Sequence, residues 1–475
     1  MSTILALLVP ALVVMGPGAA WAQEEGPRVL EPGAEVSAEA STVGTLFVGH
    51  AAEAEKAGFP YAALVLYGTA ISTDPLAAGK SAGDALRLAE QVGDLTLLEP
   101  IFGKNVGLDV DPTTRGRMAL LAARYAHAQD SHAVAVGLLK MVAPDSPAYA
   151  EAKALEGVVL SHTGRYPEAI AAFQVAMAAG VKRPDAERWV TVMNLDVARA
   201  YYGAGDFVRA IEYFAKVPRS SPWWSQAQFE RAWAHFRLDD LNGTLGLLST
   251  HSSAWYADRY FPEAAMLEVY SLFLLCKFPA AGKGIDAFAS RFTPMQAELA
   301  KVGSLTPAQA FESIASKQGA GLPPMVADLF LGEARFQRAA GAAKALDAEL
   351  ARLGSASGPW AESARSLLSA RKNELVQAEG GRVLARARAM EEELSTMLAS
   401  IEMNKLDILQ MESRMYERAA NTGAMEKAKA TVDRAVRVRE GYRHWPYEGE
   451  GWADEIGWLR VDTKAECPES LRTGR

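Results

Sequence analysis

Apolar and small residues recur along the first two thirds of the chain with a long period. GRYPEAIAAF at 164–173 is followed by GDFVRAIEYF at 205–214; each has a glycine, an aromatic, then Ala and Phe four residues apart. The same phase fits AGFPYAALVL (57–66), GDLTLLEPIF (93–102), QDSHAVAVGL (129–138), DDLNGTLGLL (239–248) and CKFPAAGKGI (276–285). Successive starts differ by 36, 36, 35, 41, 34 and 37 residues. The sixth residue of each unit is Ala62, Leu98, Val134, Ala169, Ala210, Thr244 or Ala281; the tenth is Leu66, Phe102, Leu138, Phe173, Phe214, Leu248 or Ile285. Residues four apart share a helical face, where the small one lets two axes approach and the large one fills the gap beyond. Pro75, Pro147, Pro184 and Pro222 follow the second helices and stop them. The pattern predicts an all-α chain of about seven helical hairpins, each stable only when stacked on its neighbours.

Gly157, Gly164, Ala169, Phe173 and Ala176, and then Tyr201, Gly205, Ala210, Phe214 and Pro222, resemble the tetratricopeptide repeat (TPR). The resemblance covers roughly 43–296, although the first three copies lack the Trp and Gly of that family's first helix and read as degenerate repeats or similar hairpins. It implies an α-solenoid with a groove for peptides or protein segments, and no enzymatic activity. In family register the groove positions fall on Arg199 and Tyr202, on Phe229, Trp233 and Phe236, and on Tyr270 and Phe273. Two readings of this set stand open. It is an aromatic ladder suited to gripping a peptide, or it is core seen in a phase misread by one. Gln228, Arg231 and His235 stand where the family buries apolar groups, which favours the core.

Beyond the array, residues 297–358 read as a linker with additional helices, and 359–443 as a long charged helical hairpin or coiled coil. Val383, Ala387, Met390, Leu394, Met397, Ile401, Asn404, Ile408, Met411 and Met415 follow a 4-3 rhythm, with Asn404 a polar residue able to set register. Gly380-Gly381 predicts a break or kink before it, and Asn421-Thr422-Gly423 a turn into a second helix, Met425 to Glu440. A Met-rich seam specifies a parallel dimer poorly, so an antiparallel pair within one chain is preferred and the oligomeric state stays open. The tail, 444–475, carries Trp445, Tyr447, Trp452 and Trp458 among carboxylates and glycines. It folds back on the helical pair, or serves as a docking element for another envelope protein. The texture of 262–292 and 445–459 also resembles exported repeat proteins of gliding and predatory bacteria, some tied to gliding-motility machinery.

Composition narrows the function. The 475 residues are 49% hydrophobic and 22% charged with net charge −8, which excludes a wholly disordered chain and disfavours a nucleic-acid partner. Ile4 to Val14 is a short apolar run ahead of Ala20-Trp21-Ala22, so residues 1–22 read as a signal peptide cleaved after Ala22, although no Lys or Arg precedes the run. A polar lead-in, 23–42, follows. The mature chain is expected in the periplasm with no transmembrane segment and with envelope proteins or peptide segments as partners. Cys276 and Cys467 are compatible with a disulfide or with two free thiols. The seven histidines show no ligand spacing; His127 and His132, five apart, read as surface or hairpin residues. No catalytic, cofactor-binding or metal-binding residues are expected. The expected function is a non-catalytic envelope scaffold. The alternatives are an outer-membrane assembly or cell-division factor, and a peptidoglycan-binding or peptidoglycan-active protein using 444–461.

Overall fold

The structure is a computed structural model that describes residues 38–75, 79–105, 107–256, 259–302, 304–316, 323–421, 456–457, 459, 461–465 and 467. The expected signal peptide, most of the expected lead-in, Thr422-Gly423 of the expected turn, the expected helix Met425 to Glu440, and Trp445, Tyr447, Trp452 and Trp458 lie outside the described residues.

Among the described residues the chain is helical and without strands. The elements are α1 (Ala38–Lys56), α2 (Pro60–Thr73), α3 (Ala82–Val92), α4 (Leu98–Lys104), α5 (Pro112–Ala128), α6 (His132–Leu139), α7 (Tyr149–His162), α8 (Tyr166–Ala179) and α9 (Ala186–Gly203). They continue as α10 (Phe207–Phe214), α11 (Trp224–Arg237), α12 (Leu241–Ser252), α13 (Pro262–Leu274), α14 (Phe278–Val302), α15 (Pro307–Ala315), α16 (Pro324–Gly332), α17 (Ala334–Leu353) and α18 (Pro359–Asn421). The first fourteen pair into seven hairpins, α1–α2 through α13–α14.

One turn geometry recurs in all seven. A single residue in the left-handed region ends the first helix: Gly58, Gly93, Asp130, Gly164, Gly205, Asp239 or Cys276. The next residue donates its N–H five positions back, as from Phe59 to Ala54, Arg165 to Leu160 and Lys277 to Leu272, over 2.8–3.0 Å. This is a Schellman closure, which satisfies a terminal carbonyl and turns the chain sharply.

Aligning the hairpins on that left-handed residue corrects the sequence register in the first and third copies by one. The small position becomes Ala63, Leu98, Ala135, Ala169, Ala210, Thr244 and Ala281, all at 0% exposure. The large position becomes Tyr67, Phe102, Leu139, Phe173, Phe214, Leu248 and Ile285, all buried. Val134, the small-position residue of the third copy in the sequence reading, is 40% exposed. The slip arises because Ala62-Ala63 and Leu138-Leu139 satisfy the apolar pattern in either phase, while the turn obeys only one. In the fourth hairpin Gly157 leaves the space that the Phe173 ring occupies, so the two helix axes come close.

The chain divides into two compact units. Unit 1 holds residues 1–213 and 302–387, hence the first four hairpins, nearly all of the fifth, α15–α17 and the first part of α18. Unit 2 holds 214–301 and 388–475, with the last two hairpins, the rest of α18 and the C-terminal segment.

In α18 the expected break is absent: the helix runs through Gly380-Gly381 without interruption. In unit 1, Gly380 is packed so closely on the Pro307 carbonyl that no side chain fits between them. The missing side chain at Gly380 is what permits that close approach. Helix α1 starts at Ala38, inside the expected lead-in, and α14 continues to Val302, past the expected end of the array.

Candidate functional site

Unit 1 places Arg199 and Tyr202 near the end of α9. Arg199 Nη1 lies 3.6 Å from Asp196 Oδ1, and the Tyr202 ring meets Phe207 edge-on with centroids 5.2 Å apart.

Unit 2 holds the other five candidates, and they divide by burial. Phe229 is inside, clustered with Ala232, Leu247, Leu248, Ala264 and Leu267 and in edge contact with His251. Trp233 and Phe236 are half-buried against that cluster, with ring centroids 5.7 Å apart at 79°. Phe273 is half-buried beside Phe278. Tyr270 is buried, and its hydroxyl accepts a hydrogen bond from Asn404 Nδ2 at 3.0 Å.

The Asn404 contact explains the seam of α18. Met390, Leu394 and Ile401 are at 0% exposure, and in unit 2 this stretch lies along the seventh hairpin through Asn404–Tyr270, Lys405–Asp286 and Gln296–Glu391. Asn404 is therefore a partner of a tyrosine in a repeat helix. The register-setting role expected of it in a coiled coil is not what the geometry assigns. The outward side of the same helix leaves Met403, Leu406, Leu409 and Tyr416 exposed.

A buried polar cluster in unit 1 has no counterpart in the sequence reading. Asp94, just after the left-handed Gly93, accepts hydrogen bonds from Tyr61 Oη at 2.7 Å, from Thr96 Oγ1 at 2.6 Å, and from Arg371 through Nε at 3.0 Å and Nη2 at 2.8 Å. Burial alone would raise the Asp94 carboxyl; the Arg371 charge and these hydrogen bonds outweigh it and hold the group below its ordinary range. Burial, with Asp94 adding to it, pushes the Tyr61 hydroxyl up, so it stays a donor. Beside it the Glu349 carboxylate accepts the Tyr61 and Ala62 N–H groups at 2.8 and 3.0 Å, placing negative charge at the first turn of α2. No motif marks these groups, because they lie as much as 288 residues apart.

Three histidines meet at the turns of the third and fourth hairpins. His127 lies in the last turn of α5 and His132 begins α6, so the turn brings their Nδ1 atoms to 3.3 Å, and His162 from α7 lies edge-on to His127 at 5.1 Å between centroids. Burial, then the neighbouring imidazoles, lowers His127 and His162, so both prefer the neutral form. Among the described residues no group of three or more His, Cys, Asp or Glu is set to hold a metal ion. A cavity of about 300 Å³ lies between the second and third hairpins, lined by Phe102, Leu108, Met118, Ala122 and Met141 with Arg115.

The two cysteines, open in the sequence, are joined: Cys276 and Cys467 form a disulfide across 191 residues. With it the described part of the tail packs on the sixth and seventh hairpins. The second helix of the pair expected to receive it, Met425 to Glu440, lies outside the described residues.

The fold and these contacts define an all-α protein of repeated helical hairpins with a long C-terminal helix packed back on them. No family model and no curated relative matches the chain. Among solved structures, the Rap protein complexed with competence and sporulation factor is similar over 72% of this chain and 97% of that chain, at 12% identity and a TM-score of 0.31. No described helix is long and apolar enough to cross a membrane.

Proposed function

We propose that this chain is a non-catalytic protein–protein interaction scaffold of tetratricopeptide type in the bacterial periplasm. The observation that carries the reading is the recurrence of one turn and one buried small-and-large pair in seven hairpins, because such an array leaves an extended surface for partners. Trp233, Phe236 and Phe273 are the aromatic side chains of the candidate set that stay half-exposed in unit 2, and Arg199 and Tyr202 do so in unit 1. They are the contacts offered to an envelope protein or peptide segment. Export is supported by the leader pattern in residues 1–22 and by the Cys276–Cys467 disulfide, a bond that persists in oxidising compartments. The sequence texture shared with repeat proteins of gliding and predatory bacteria directs the search for partners to motility and envelope machinery.

Crosslinking in intact cells, followed by identification of captured proteins, tests this reading. Envelope proteins should be captured by the wild-type chain and lost with Trp233→Ala/Phe236→Ala at unchanged helicity. Capture indifferent to that change, or sacculi pulled down without any protein, would refute it. An outer-membrane assembly or cell-division factor would show itself by the identity of the captured proteins.

A further inference from the structure

Within unit 2 the described part of the C-terminal segment lies on the sixth and seventh hairpins as a strap. Ile456 is buried, and Gly457, at φ +87°, faces the Trp224 ring. The Leu459 carbonyl approaches α12 so closely at Gly246 that a side chain there would collide with it. From Val461 onward burial alternates: Val461, Thr463, Ala465 and Cys467 are half-buried, whereas Asp462 and Lys464 are exposed. That period of two is the pattern of an extended chain with one face down. Val461 and Ala465 pack on a cluster of Leu241, Leu245 and Leu275.

The backbone of the strap is read at one residue. Asn242 Nδ2 donates to the Thr463 carbonyl at 3.2 Å, and the Thr463 N–H donates to Asn242 Oδ1 at 3.1 Å. A carboxamide that takes both main-chain groups of one residue selects an extended backbone and little else, which is how a sheet edge selects a peptide strand. The strap ends in the disulfide. Its other sulfur belongs to Cys276, which holds the left-handed turn position of the seventh hairpin, where four of the other six have glycine. A residue with a Cβ is disfavoured at that φ, so its presence there is explained by what its side chain does.

We propose that the face formed by Leu241, Asn242, Leu245, Gly246, Leu275 and Cys276 is a groove for an extended peptide with small or apolar side chains at alternate positions. Leu459, residues 461–465 and Cys467 of the chain itself fill it, and the disulfide latches them there. A dithiol reductant opens the latch: it supplies two electrons and two protons, the Sγ–Sγ bond breaks, both cysteines become thiols, and the reductant closes its own disulfide. Cys467 is half-exposed, so an incoming thiolate can reach it. With the latch closed the strap is held at high effective concentration and outcompetes peptides in trans; with it open the groove exchanges its occupant.

The test uses the full-length chain, oxidised, reduced by a dithiol, and as Cys467→Ser, with helicity checked in each. Hydrogen exchange across Val461 to Ala465 should be at least tenfold faster in the reduced and Cys467→Ser chains, with exchange in α11–α13 unchanged. A labelled synthetic peptide of residues 456–466 should bind those two chains and not the oxidised one, and Asn242→Ala in the Cys467→Ser chain should weaken binding at least tenfold. Equal exchange in both redox states would overturn the latch. Faster exchange throughout α11–α13 on reduction would show a structural staple instead and also overturn it. Peptide bound by all forms alike, by none, or equally well by the Asn242→Ala chain would overturn the groove.

Discussion

Arg371 holds Asp94 through two nitrogens, across 277 residues, with side-chain exposures of 9% and 2%. The pair links a repeat turn in unit 1 to the long C-terminal helix, and every remaining lone pair of the carboxylate is turned toward Tyr61 or Thr96. Removing one partner leaves the other charge buried. Arg371→Leu is therefore expected to destabilise unit 1 by about 3–5 kcal/mol, and Arg371→Leu with Asp94→Leu by clearly less than the sum of the two single changes. Urea denaturation of the four proteins, followed by circular dichroism, measures both terms.

The turn-based register makes a prediction between neighbours in the third hairpin. Ala135 is at 0% exposure and Val134 at 40%. Ala135→Leu should cost about 1–3 kcal/mol by overpacking, whereas Val134→Ala should change stability by no more than about 0.5 kcal/mol. Equal effects in denaturant melts would restore the sequence register.

Two adjacent glycines of α18 should answer oppositely to the same change. Gly380 packs on the Pro307 carbonyl, while a Cβ at Gly381 meets nothing within 4 Å. Gly381→Ala should raise stability by about 0.5–1 kcal/mol, the usual gain in a helix interior. Gly380→Ala should lower it by about 1–3 kcal/mol, since backbone cannot step aside as a side chain can. Thermal unfolding of the two variants beside the parent checks the contrast.

Acid should destabilise the protein through its histidines. Burial brings His251 down to about 4; its Nε2 donates to the Ser225 carbonyl and its Nδ1 meets no partner among the described residues. The unfolded chain takes this proton near the ordinary value of about 6.5, so between there and pH 4 the unfolded state binds more protons. Stability contributed by neutral His251 is whole above pH 6.5, falls as the pH falls, and about 3 kcal/mol is gone once both states are protonated. His127 and His162, also lowered, act in the same direction. His251→Phe should flatten the decline of unfolding free energy between pH 6.5 and 4; an unchanged slope would show that His251 does not titrate this way.

Much of the architecture was legible in the chain because it is local. A hairpin repeats its own turn and its own small-and-large pair within a few residues, so the period, the seven units and the all-α class follow from Ala169 with Phe173 and Ala210 with Phe214 without any distant contact. What tertiary structure alone decided is whatever depends on a partner far away in sequence. The phase of the first and third copies needed the left-handed turn at Gly58 and Asp130, since apolar residues flank the core position on both sides. Which aromatics are interior needed the neighbouring elements: Phe229 is enclosed by α12 and α13, and Tyr270 is met by Asn404, 134 residues on. The joining of Cys276 to Cys467, and of Asp94 to Arg371, has no pattern to read, because a single pair of side chains leaves no periodic trace in sequence. Periodicity records which face a residue turns inward, whereas only the folded chain determines what that face meets.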